Sequence, residues 1–373
     1  MPPIHLLIKP SSGNCNMRCD YCFYYDITEH REQASYGFMS EETLEQMIKR
    51  ALAYAEGECS FSYQGGEPTL RGLEFFQKSI ELEKKYNIHG VTIHHALQTN
   101  GYHLNEDWAK FLADNHFLVG VSLDGSKDTH NAYRKSVKGE ETFFDILKTI
   151  DLLNQHQVEF NILTVVNRRT AEKIRKIYQF YKKNHLNYLQ FIPCLDPLGE
   201  QQGSREYSLT AELYGEFLKD LFDLWYDDLL KGEQPYIRQF ENYISILMGQ
   251  HPEACDQCGV CNYQYVVEAD GEVYPCDFYV LDEYKLGNFN QCSIEEIDRK
   301  RHEIQFMEYS LTDHEACRKC RYYSVCRGGC RRHRLIEEPD GNHRNVFCES
   351  YLAFFDHALP RMADIARQLR MRR

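Results

Sequence analysis

The stretch Ser11-Ser-Gly-Asn-Cys-Asn-Met-Arg-Cys-Asp-Tyr-Cys-Phe-Tyr-Tyr25 decides how the rest of this sequence is interpreted. It follows a short apolar run, Ile4–Ile8, which predicts a first buried strand. Its three cysteines, Cys15, Cys19 and Cys22, lie so close in the chain that one loop can direct three thiolates to a single four-iron cluster. A four-iron cube has four corners, so three protein ligands leave one iron open, and open metal positions are where metal catalysis takes place. The loop is therefore a candidate reaction centre. A zinc site, which needs a fourth ligand, and a disulfide, which leaves one thiol over, are the alternatives.

The composition limits the class of protein and its compartment. A chain of 373 residues exceeds the usual size of a single core, which favours one large domain and a smaller one. Hydrophobic residues make up 43% of the chain, which suffices for a packed core. A formal net charge of −13 argues against nucleic-acid binding, which needs a basic surface. No segment reaches the length of a membrane span, and the first apolar run is too short for a signal peptide. The fifteen cysteines favour a reducing compartment, so we expect a cytoplasmic protein.

Short β-rich runs alternate with helical patterns over the first half of the chain. The predicted strands are residues 4–8, 60–63, 91–97, 117–123, 159–166 and 188–192. The predicted helices are residues 41–56, with Ser40 as N-cap, 73–85, 106–115, 141–156 and 171–184. Six β/α units in order predict an α/β fold with a parallel sheet, whose ligands bind at the carboxyl ends of the strands.

Polar segments follow three of these strands. Gln64-Gly-Gly-Glu-Pro68 comes after the second, and its glycines allow the backbone to approach a ligand, although such a sequence taken alone is more often a tight turn. Gln98-Thr-Asn-Gly101 follows the third and Ser122-Leu-Asp-Gly125 the fourth; either is also compatible with an Asx turn or a helix cap. Three such segments in phase with the strands predict a polar mouth at this edge of the sheet.

The second half of the chain is helical and then rich in cysteine. Residues 211–230 predict an amphipathic helix whose apolar face packs into a core, and residues 239–248 predict another helix. Beyond residue 250 lie Cys255, Cys258, Cys261, Cys276, Cys317, Cys320, Cys326, Cys330 and Cys348. The Asp270-Gly271 pair between residues 263–268 and 272–274 predicts a hairpin that brings Cys261 and Cys276 close together. The run from Cys317 to Cys330 is a compact ligand set, for which a zinc ribbon is the alternative.

The Cys-x3-Cys-x2-Cys loop followed by an aromatic residue resembles that of radical S-adenosylmethionine enzymes. The resemblance implies a partial (β/α)6 barrel, with the amino and carboxylate groups of S-adenosylmethionine on the open iron and its cleavage to a 5′-deoxyadenosyl radical. It also implies that the Gly-Gly-Glu-Pro element receives the methionine amino group. The implied cofactor contacts are Tyr21, Gly66, Ser122, Arg134, which would meet the carboxylate, and Leu195.

The carboxyl-terminal cysteines resemble the SPASM extension of peptide-modifying radical enzymes, which holds two auxiliary clusters. The resemblance therefore implies three [4Fe-4S] clusters in all, the two auxiliary ones acting as electron carriers because no corner is left open. It assigns one auxiliary cluster to Cys255, Cys261, Cys276 and Cys330, and the other to Cys317, Cys320, Cys326 and Cys348. The remaining thiols, Cys59, Cys194, Cys258 and Cys292, are expected to be buried or incidental. The predicted domains are residues 1–208 (barrel), 209–254 (helical linker) and 255–373 (SPASM).

Within this superfamily the sequence is most similar to anaerobic sulfatase-maturating enzymes. The similarity is carried by Leu7-Ile-Lys-Pro10, Cys22-Phe-Tyr24, Gln64-Gly-Gly-Glu-Pro-Thr69, Leu97-Gln-Thr-Asn-Gly101, Asn161-Ile-Leu163, Cys194-Leu-Asp-Pro-Leu198, Phe222-Asp-Leu-Trp-Tyr226 and Tyr274-Pro-Cys-Asp-Phe-Tyr-Val280. It implies oxidation of a cysteine or serine in a sulfatase Cys/Ser-x-Pro-x-Arg motif to Cα-formylglycine, with Asp277 as proton acceptor. Without the resemblance, Asp277 is more simply an aspartate that accepts backbone hydrogen bonds at a strand end.

The implied partners are a sulfatase polypeptide and an electron donor such as ferredoxin or flavodoxin, and we expect a monomer. Two alternatives stay open. One is another SPASM enzyme that forms a thioether or carbon–carbon link in a ribosomal peptide. The other is a non-catalytic iron–sulfur electron carrier.

Overall fold

The computed structural model describes residues 3–311, 315–337 and 343–371. The strands are β1 Ile4–Ile8, β2 Met17–Cys19, β3 Glu58–Tyr63, β4 Thr92–Thr99, β5 Phe117–Ser122, β6 Arg134–Ser136, β7 Phe160–Val166, β8 Tyr188–Pro193, β9 Tyr236–Ile237, β10 Tyr265–Val267, β11 Glu272–Tyr274, β12 Gly287–Asn288, β13 Arg334–Glu337 and β14 His343–Asn345. The helices are α1 Phe23–Glu29, α2 Glu41–Tyr54, α3 Leu73–Tyr86, α4 Glu106–Asp114, α5 Lys127–Tyr133, α6 Phe143–Gln155, α7 Arg168–Glu172, α8 Ile174–Lys183, α9 Ala211–Leu230, α10 Arg238–Leu247, α11 Ile294–Glu303, α12 Glu315–Arg318, α13 Tyr323–Cys326 and α14 Cys348–Met371. In the described part of the chain, no helix combines the length and apolar character that a membrane crossing requires.

The chain forms two compact units, the first of which comprises residues 1–123, 131–161 and 263–306. Seven of its strands form a sheet in the order β12-β11-β10-β1-β3-β4-β5. The central strands β1, β3, β4 and β5 run parallel, and Ile4, Leu6 and Ile8 of β1 are buried in alternation with more exposed residues. A separate two-stranded ribbon pairs β2 with β6. The predicted α/β fold with a parallel sheet is therefore confirmed.

The local signals in the sequence set the boundaries of most elements. Ser40 caps α2 as predicted, because its side chain accepts a hydrogen bond from the Thr43 amide at 3.0 Å. The helix predicted at residues 171–184 is instead two helices, α7 and α8, which meet at Lys173. Asn167 and Thr170 form a capping box that begins α7 earlier than the apolar pattern indicated.

The hairpin of β10 and β11 joins the central sheet, which the sequence did not indicate. Its turn lies at Gly271, at a φ of +89°, as predicted. Strand β10 pairs in parallel with β1, so that Leu6 lies opposite Tyr265 and Ile8 opposite Val267. The hairpin strand begins at Tyr265, so Cys261 lies outside it. Because β10 pairs with β1, the residues that follow the hairpin lie near the carboxyl end of β1.

The second unit comprises residues 124–130, 162–262 and 307–373. Most of β7 lies in it with β8 and β9, and these strands pair in parallel. The predicted apolar face of α9 is buried, as expected, at Phe217, Leu218, Leu221, Phe222 and Trp225. It packs on α14, where the Phe222 and Phe354 rings lie 6.0 Å apart and Ser350 donates to the Ala211 carbonyl. Residues 263–306, which belong to the predicted SPASM segment, pack with the first unit.

Candidate active site

The first three cysteines lie in a loop that short elements hold in place. We call residues 11–25 the cluster loop and its cysteines, Cys15, Cys19 and Cys22, the cysteine triad. In the β2–β6 ribbon Cys19 lies opposite Arg134. Cys22 is the N-cap of α1, and its sulfur accepts a hydrogen bond from the Tyr25 amide at 3.4 Å. The Cys15 sulfur likewise accepts from the Met17 amide at 3.4 Å. Strands of three residues show no periodicity, which is why this ribbon was not predicted.

The glycine pair after β3 packs directly against the cluster loop. The Gly66 amide donates to the Ser12 carbonyl at 2.8 Å, and the Glu67 amide donates to the Asn14 carbonyl at 2.8 Å. A Cβ added at Gly66 would lie 2.1 Å from the Asn14 oxygen. The absence of a side chain at Gly66 therefore allows this close backbone packing, and its contact with the cofactor stays a prediction. What a side chain there would meet is the backbone next to Cys15.

Glu67 is fully buried and is held by the short turn that follows it and by the end of β4. Its carboxylate accepts hydrogen bonds from the Thr69 amide and hydroxyl, the Thr99 hydroxyl and the Asn100 amide, at 2.7 to 3.1 Å. Burial raises the pKa of Glu67, although these hydrogen bonds oppose the shift. Asn100 also lies 3.6 Å from the Cys15 sulfur through its amide nitrogen. Glu67 therefore connects the polar segment after β4 with the cluster loop rather than offering a free acceptor.

The residues predicted to contact the cofactor fall into both units. Tyr21 and Arg134 are 7% and 6% exposed, and the Arg134 guanidinium donates to the Tyr21 hydroxyl at 3.1 Å. The hydroxyl of Ser122, at the end of β5, accepts a hydrogen bond from the side-chain amide of Gln98 at 3.2 Å. Leu195 is buried in the second unit, just after β8. Arg134 is thus a buried side chain beside the cluster loop and not a solvated surface arginine.

Asp277 lies at the exit of the β10–β11 hairpin, beside the end of β1. One carboxylate oxygen forms an ion pair with Lys9, whose side chain is buried. The other oxygen accepts a hydrogen bond from the side-chain amide of Gln64 at 2.8 Å. The side chain of Asp277 is 15% exposed. Sequence reasoning missed Lys9. The only signal for it was a lysine directly after an apolar strand.

In the second unit the remaining cysteines form two neighbourhoods. Around Cys326, burial is the main cause that raises the pKa of the thiol to about 12, and the charges of Cys348, Cys317 and Cys320 contribute to this rise. Around Cys330, burial likewise raises the thiol pKa to about 12, with a contribution from Cys261.

Cys255 belongs to the neighbourhood of Cys330. Although the residue is exposed at the surface, desolvation of its thiol is the main cause of its raised pKa, and the charges of Asp256, Cys330 and Cys261 add to it. Cys276 belongs to the first unit. Within the second unit, electrostatic interactions thus link Cys326 with Cys317, Cys320 and Cys348, and Cys330 with Cys255 and Cys261. The assignment of these cysteines to two clusters stays a prediction.

Hydrogen bonding differs between three of the predicted ligands and two of the other thiols. The sulfurs of Cys320 and Cys330 accept hydrogen bonds from the backbone amides two residues on, each at 3.4 Å, as Cys15 does. By contrast, Cys258 and Cys194 donate their S–H groups to backbone carbonyls at 3.4 to 3.7 Å. Amides directed at sulfur stabilise a thiolate bound to a cluster, whereas a thiol that donates is protonated. The difference fits iron–sulfur ligation by the first set.

Among the described residues, no three His, Cys, Asp or Glu side chains converge on a point that would hold one metal ion.

Comparisons with known proteins give a consistent result. Residues 10–181 match the family model of the radical SAM superfamily, and residues 255–321 match that of an iron–sulfur cluster-binding domain named SPASM. A cysteine-type anaerobic sulfatase-maturating enzyme from Clostridium perfringens is 46% identical, over 99% of this chain and 100% of that protein. A serine-type enzyme from Bacteroides thetaiotaomicron is 33% identical, over 98% of this chain and 92% of that protein. The solved structure of native anSMEcpe with bound AdoMet and Cp18Cys peptide is 47% identical, covers 99% of this chain and 100% of that chain, and has a TM-score of 0.93.

Proposed function

Because the chain belongs to the anaerobic sulfatase-maturating enzymes of the radical S-adenosylmethionine superfamily, we propose that it oxidises a cysteine or serine of a sulfatase Cys/Ser-x-Pro-x-Arg motif to Cα-formylglycine. The observation that carries this proposal is the Asp277 carboxylate, held at the end of β1 in the same compact unit as the cysteine triad. We propose cysteine as the preferred residue, since the cysteine-type relative is 46% identical and the serine-type relative 33%.

The cysteine triad would hold a [4Fe-4S] cluster with one open iron. When bound there, S-adenosylmethionine supplies the 5′-deoxyadenosyl radical that removes a Cβ hydrogen from the substrate residue. Tyr21, Gly66, Ser122, Arg134 and Leu195 are the proposed cofactor contacts. The buried Arg134 guanidinium is the group among them that suits a carboxylate.

Asp277 is the proposed proton acceptor. One of its carboxylate oxygens takes the proton of the substrate thiol or hydroxyl after the hydrogen is removed. The radical formed at the neighbouring carbon makes that proton more acidic, so a carboxylate suffices as the base. The second electron would pass to one of the auxiliary clusters, which gives the aldehyde from serine and a thioaldehyde from cysteine. Water would then hydrolyse the thioaldehyde to formylglycine with release of hydrogen sulfide. Lys9 and Gln64 each bind one oxygen of the Asp277 carboxylate. The side chain of Asp277 is 15% exposed, and a substrate would reach the carboxylate from this exposed side.

Two further [4Fe-4S] clusters complete the proposed set. One would be bound by Cys317, Cys320, Cys326 and Cys348, and the other by Cys255, Cys261 and Cys330 together with Cys276. The amide hydrogen bonds to the sulfurs of Cys320 and Cys330 support this assignment, and the S–H donation by Cys258 is against its being a ligand. The three predicted domains, residues 1–208, 209–254 and 255–373, would then be a barrel, a linker and a cluster-binding domain.

The physiological setting is also a proposal. The protein would act in the reducing cytoplasm, because its fifteen thiols need protection from oxidation. There it would be a monomer and would receive electrons from a low-potential donor of the ferredoxin or flavodoxin class.

Mass spectrometry of model peptides tests the proposed reaction. Anaerobically reconstituted protein is given S-adenosylmethionine, a reductant and a sulfatase-motif peptide that carries either cysteine or serine. We expect formylglycine in both products and faster conversion of the cysteine peptide. A cross-linked peptide without formylglycine, or an unmodified peptide despite cleavage of S-adenosylmethionine, would contradict the proposal.

Asp277→Asn tests the proton acceptor, because it keeps the shape and removes the basicity. We expect three clusters and cleavage of S-adenosylmethionine in the presence of peptide, with at least a hundredfold less formylglycine, which is the lower end of what a general base contributes. Asp282→Asn is the matched control, since Asp282 pairs with Lys285 at 2.7 Å on the surface. Formylglycine at the wild-type rate from Asp277→Asn would rule out the role.

A further inference from the structure

Lys9 is a buried cation in a position where lysine is rarely found. Its side chain is 0% exposed, directly after the last residue of β1. Lysine is almost never fully buried unless its charge is paired, since an isolated ammonium loses its hydration at a large cost. A lysine in this place therefore has a specific partner, and the structure identifies that partner as Asp277.

The backbone and stem of Lys9 are fixed along their whole length. Its amide donates to the Val267 carbonyl at 2.8 Å, which ties it to the hairpin that carries Asp277. Its Cβ and Cγ pass Gly65, where an added Cβ would lie 3.2 to 3.3 Å from them. Gly65 has a φ of +126°, a backbone conformation that favours glycine. The first glycine of the pair therefore allows the turn and leaves space for the side chain of Lys9.

The ammonium group has one ring and one carboxylate as its principal neighbours. Nζ lies 3.7 Å from the centroid of the Tyr24 ring, a cation–π contact. The Tyr24 hydroxyl donates to Glu268, and Glu268 is itself paired with Arg31 at 3.0 Å. The nearby acid Glu268 is therefore already neutralised, which leaves the Asp277 carboxylate to compensate Lys9.

We propose that Lys9 is a positioning residue for the oxidation. By holding one oxygen of Asp277, while Gln64 holds the other, Lys9 fixes the plane of the carboxylate and the edge that faces the substrate. Mispositioning of a reacting group by about 1 Å costs on the order of a hundredfold in rate. The inference depends on the proposed role of Asp277.

The test is Lys9→Met, which keeps the length and apolar stem of the side chain and removes the ammonium. We expect twelve irons per chain, unchanged KM for the peptide and unchanged formation of 5′-deoxyadenosine, but a kcat for formylglycine that is about tenfold to a hundredfold lower. The ratio of formylglycine to 5′-deoxyadenosine falls by the same factor, which a merely structural defect would not produce. Lys285→Met, which breaks the exposed pair with Asp282, is the control and should leave the ratio unchanged.

The double variant Lys9→Met with Asp277→Asn separates this inference from the proposed function. If Lys9 acts through Asp277, the double variant is no slower than Asp277→Asn alone. A ratio within twofold of wild type in Lys9→Met, or additive losses in the double variant, would overturn the positioning role. Wild-type formylglycine from Asp277→Asn would instead overturn the role of Asp277 itself.

Lys9→Arg gives a second measurement if Lys9→Met fails to load its clusters. It keeps the charge but places it about one bond length farther from Cα, so that the charge shifts relative to the Asp277 carboxylate and the Tyr24 ring. A product ratio at least fivefold below wild type, with normal iron content, would support positioning. An unchanged ratio would overturn it.

Discussion

Replacing Gly66 by alanine should displace the cluster loop. The added Cβ would lie 2.1 Å from the Asn14 oxygen, 2.6 Å from its carbonyl carbon and 3.0 Å from its nitrogen. Unstrained carbon contacts lie at about 3.5 Å, so the backbone of Asn14 must move by at least roughly 1 Å. These are backbone atoms, and no side-chain rotation relieves the contact.

The consequence of that displacement falls on the cysteine triad. Asn14 directly precedes Cys15, whose sulfur accepts hydrogen bonds within the cluster loop. The three thiolates must stay close enough together to bind one cluster. We therefore expect Gly66→Ala to lose the amino-terminal cluster, which is about four of twelve irons, and to keep the two auxiliary clusters. Cleavage of S-adenosylmethionine should fall by about a hundredfold or more.

Iron and sulfide analysis of the anaerobically reconstituted variant, together with chromatography of 5′-deoxyadenosine, measures both effects. Gly72→Ala is the matched control, since Gly72 has a φ of +89° but nothing within 4 Å of an added Cβ. It carries backbone strain without the contact and should keep all its iron. Twelve irons and wild-type cleavage in Gly66→Ala would refute the reasoning.

Three further predictions concern the cysteines and Glu67. Replacing the whole cysteine triad by alanine should leave about eight irons per chain and abolish 5′-deoxyadenosine; loss of all iron would contradict the independence of the auxiliary clusters. Cys258→Ala should keep twelve irons, because its S–H donates to backbone carbonyls, whereas Cys255→Ala should not; the reverse pattern of iron content would exchange the two assignments. Thr99→Val removes one donor from the buried carboxylate of Glu67 and should lower the free energy of unfolding of the metal-free protein by about 1–3 kcal/mol, measured by urea titration. An unchanged urea midpoint would mean that Glu67 does not depend on this hydrogen bond.

Much of the fold was readable because its signals are local. The spacing of the cysteine triad, the Ser40 cap and the Asp270-Gly271 turn each involve residues a few positions apart, which constrain one another through the backbone alone. The six parallel strands followed from apolar runs that alternate with helical periodicity, and the strand predicted at residues 4–8 was found there without change. The capping box at Asn167 was an equally local signal that the apolar pattern of residues 171–184 obscured.

The composition of the site depended on contacts between distant segments. Lys9 and Asp277 are 268 residues apart and meet because β10 pairs with β1, and nothing in either strand specifies that edge of the sheet as the partner. Likewise, only the tertiary structure shows that Gly66 packs against the backbone of Asn14. The sequence, read with the family resemblance, supplied the candidate residues for the chemistry except Lys9. The tertiary structure decided which of them meet, because strand pairing and close backbone contacts are formed by groups that every residue shares and that leave no signature in the side-chain pattern.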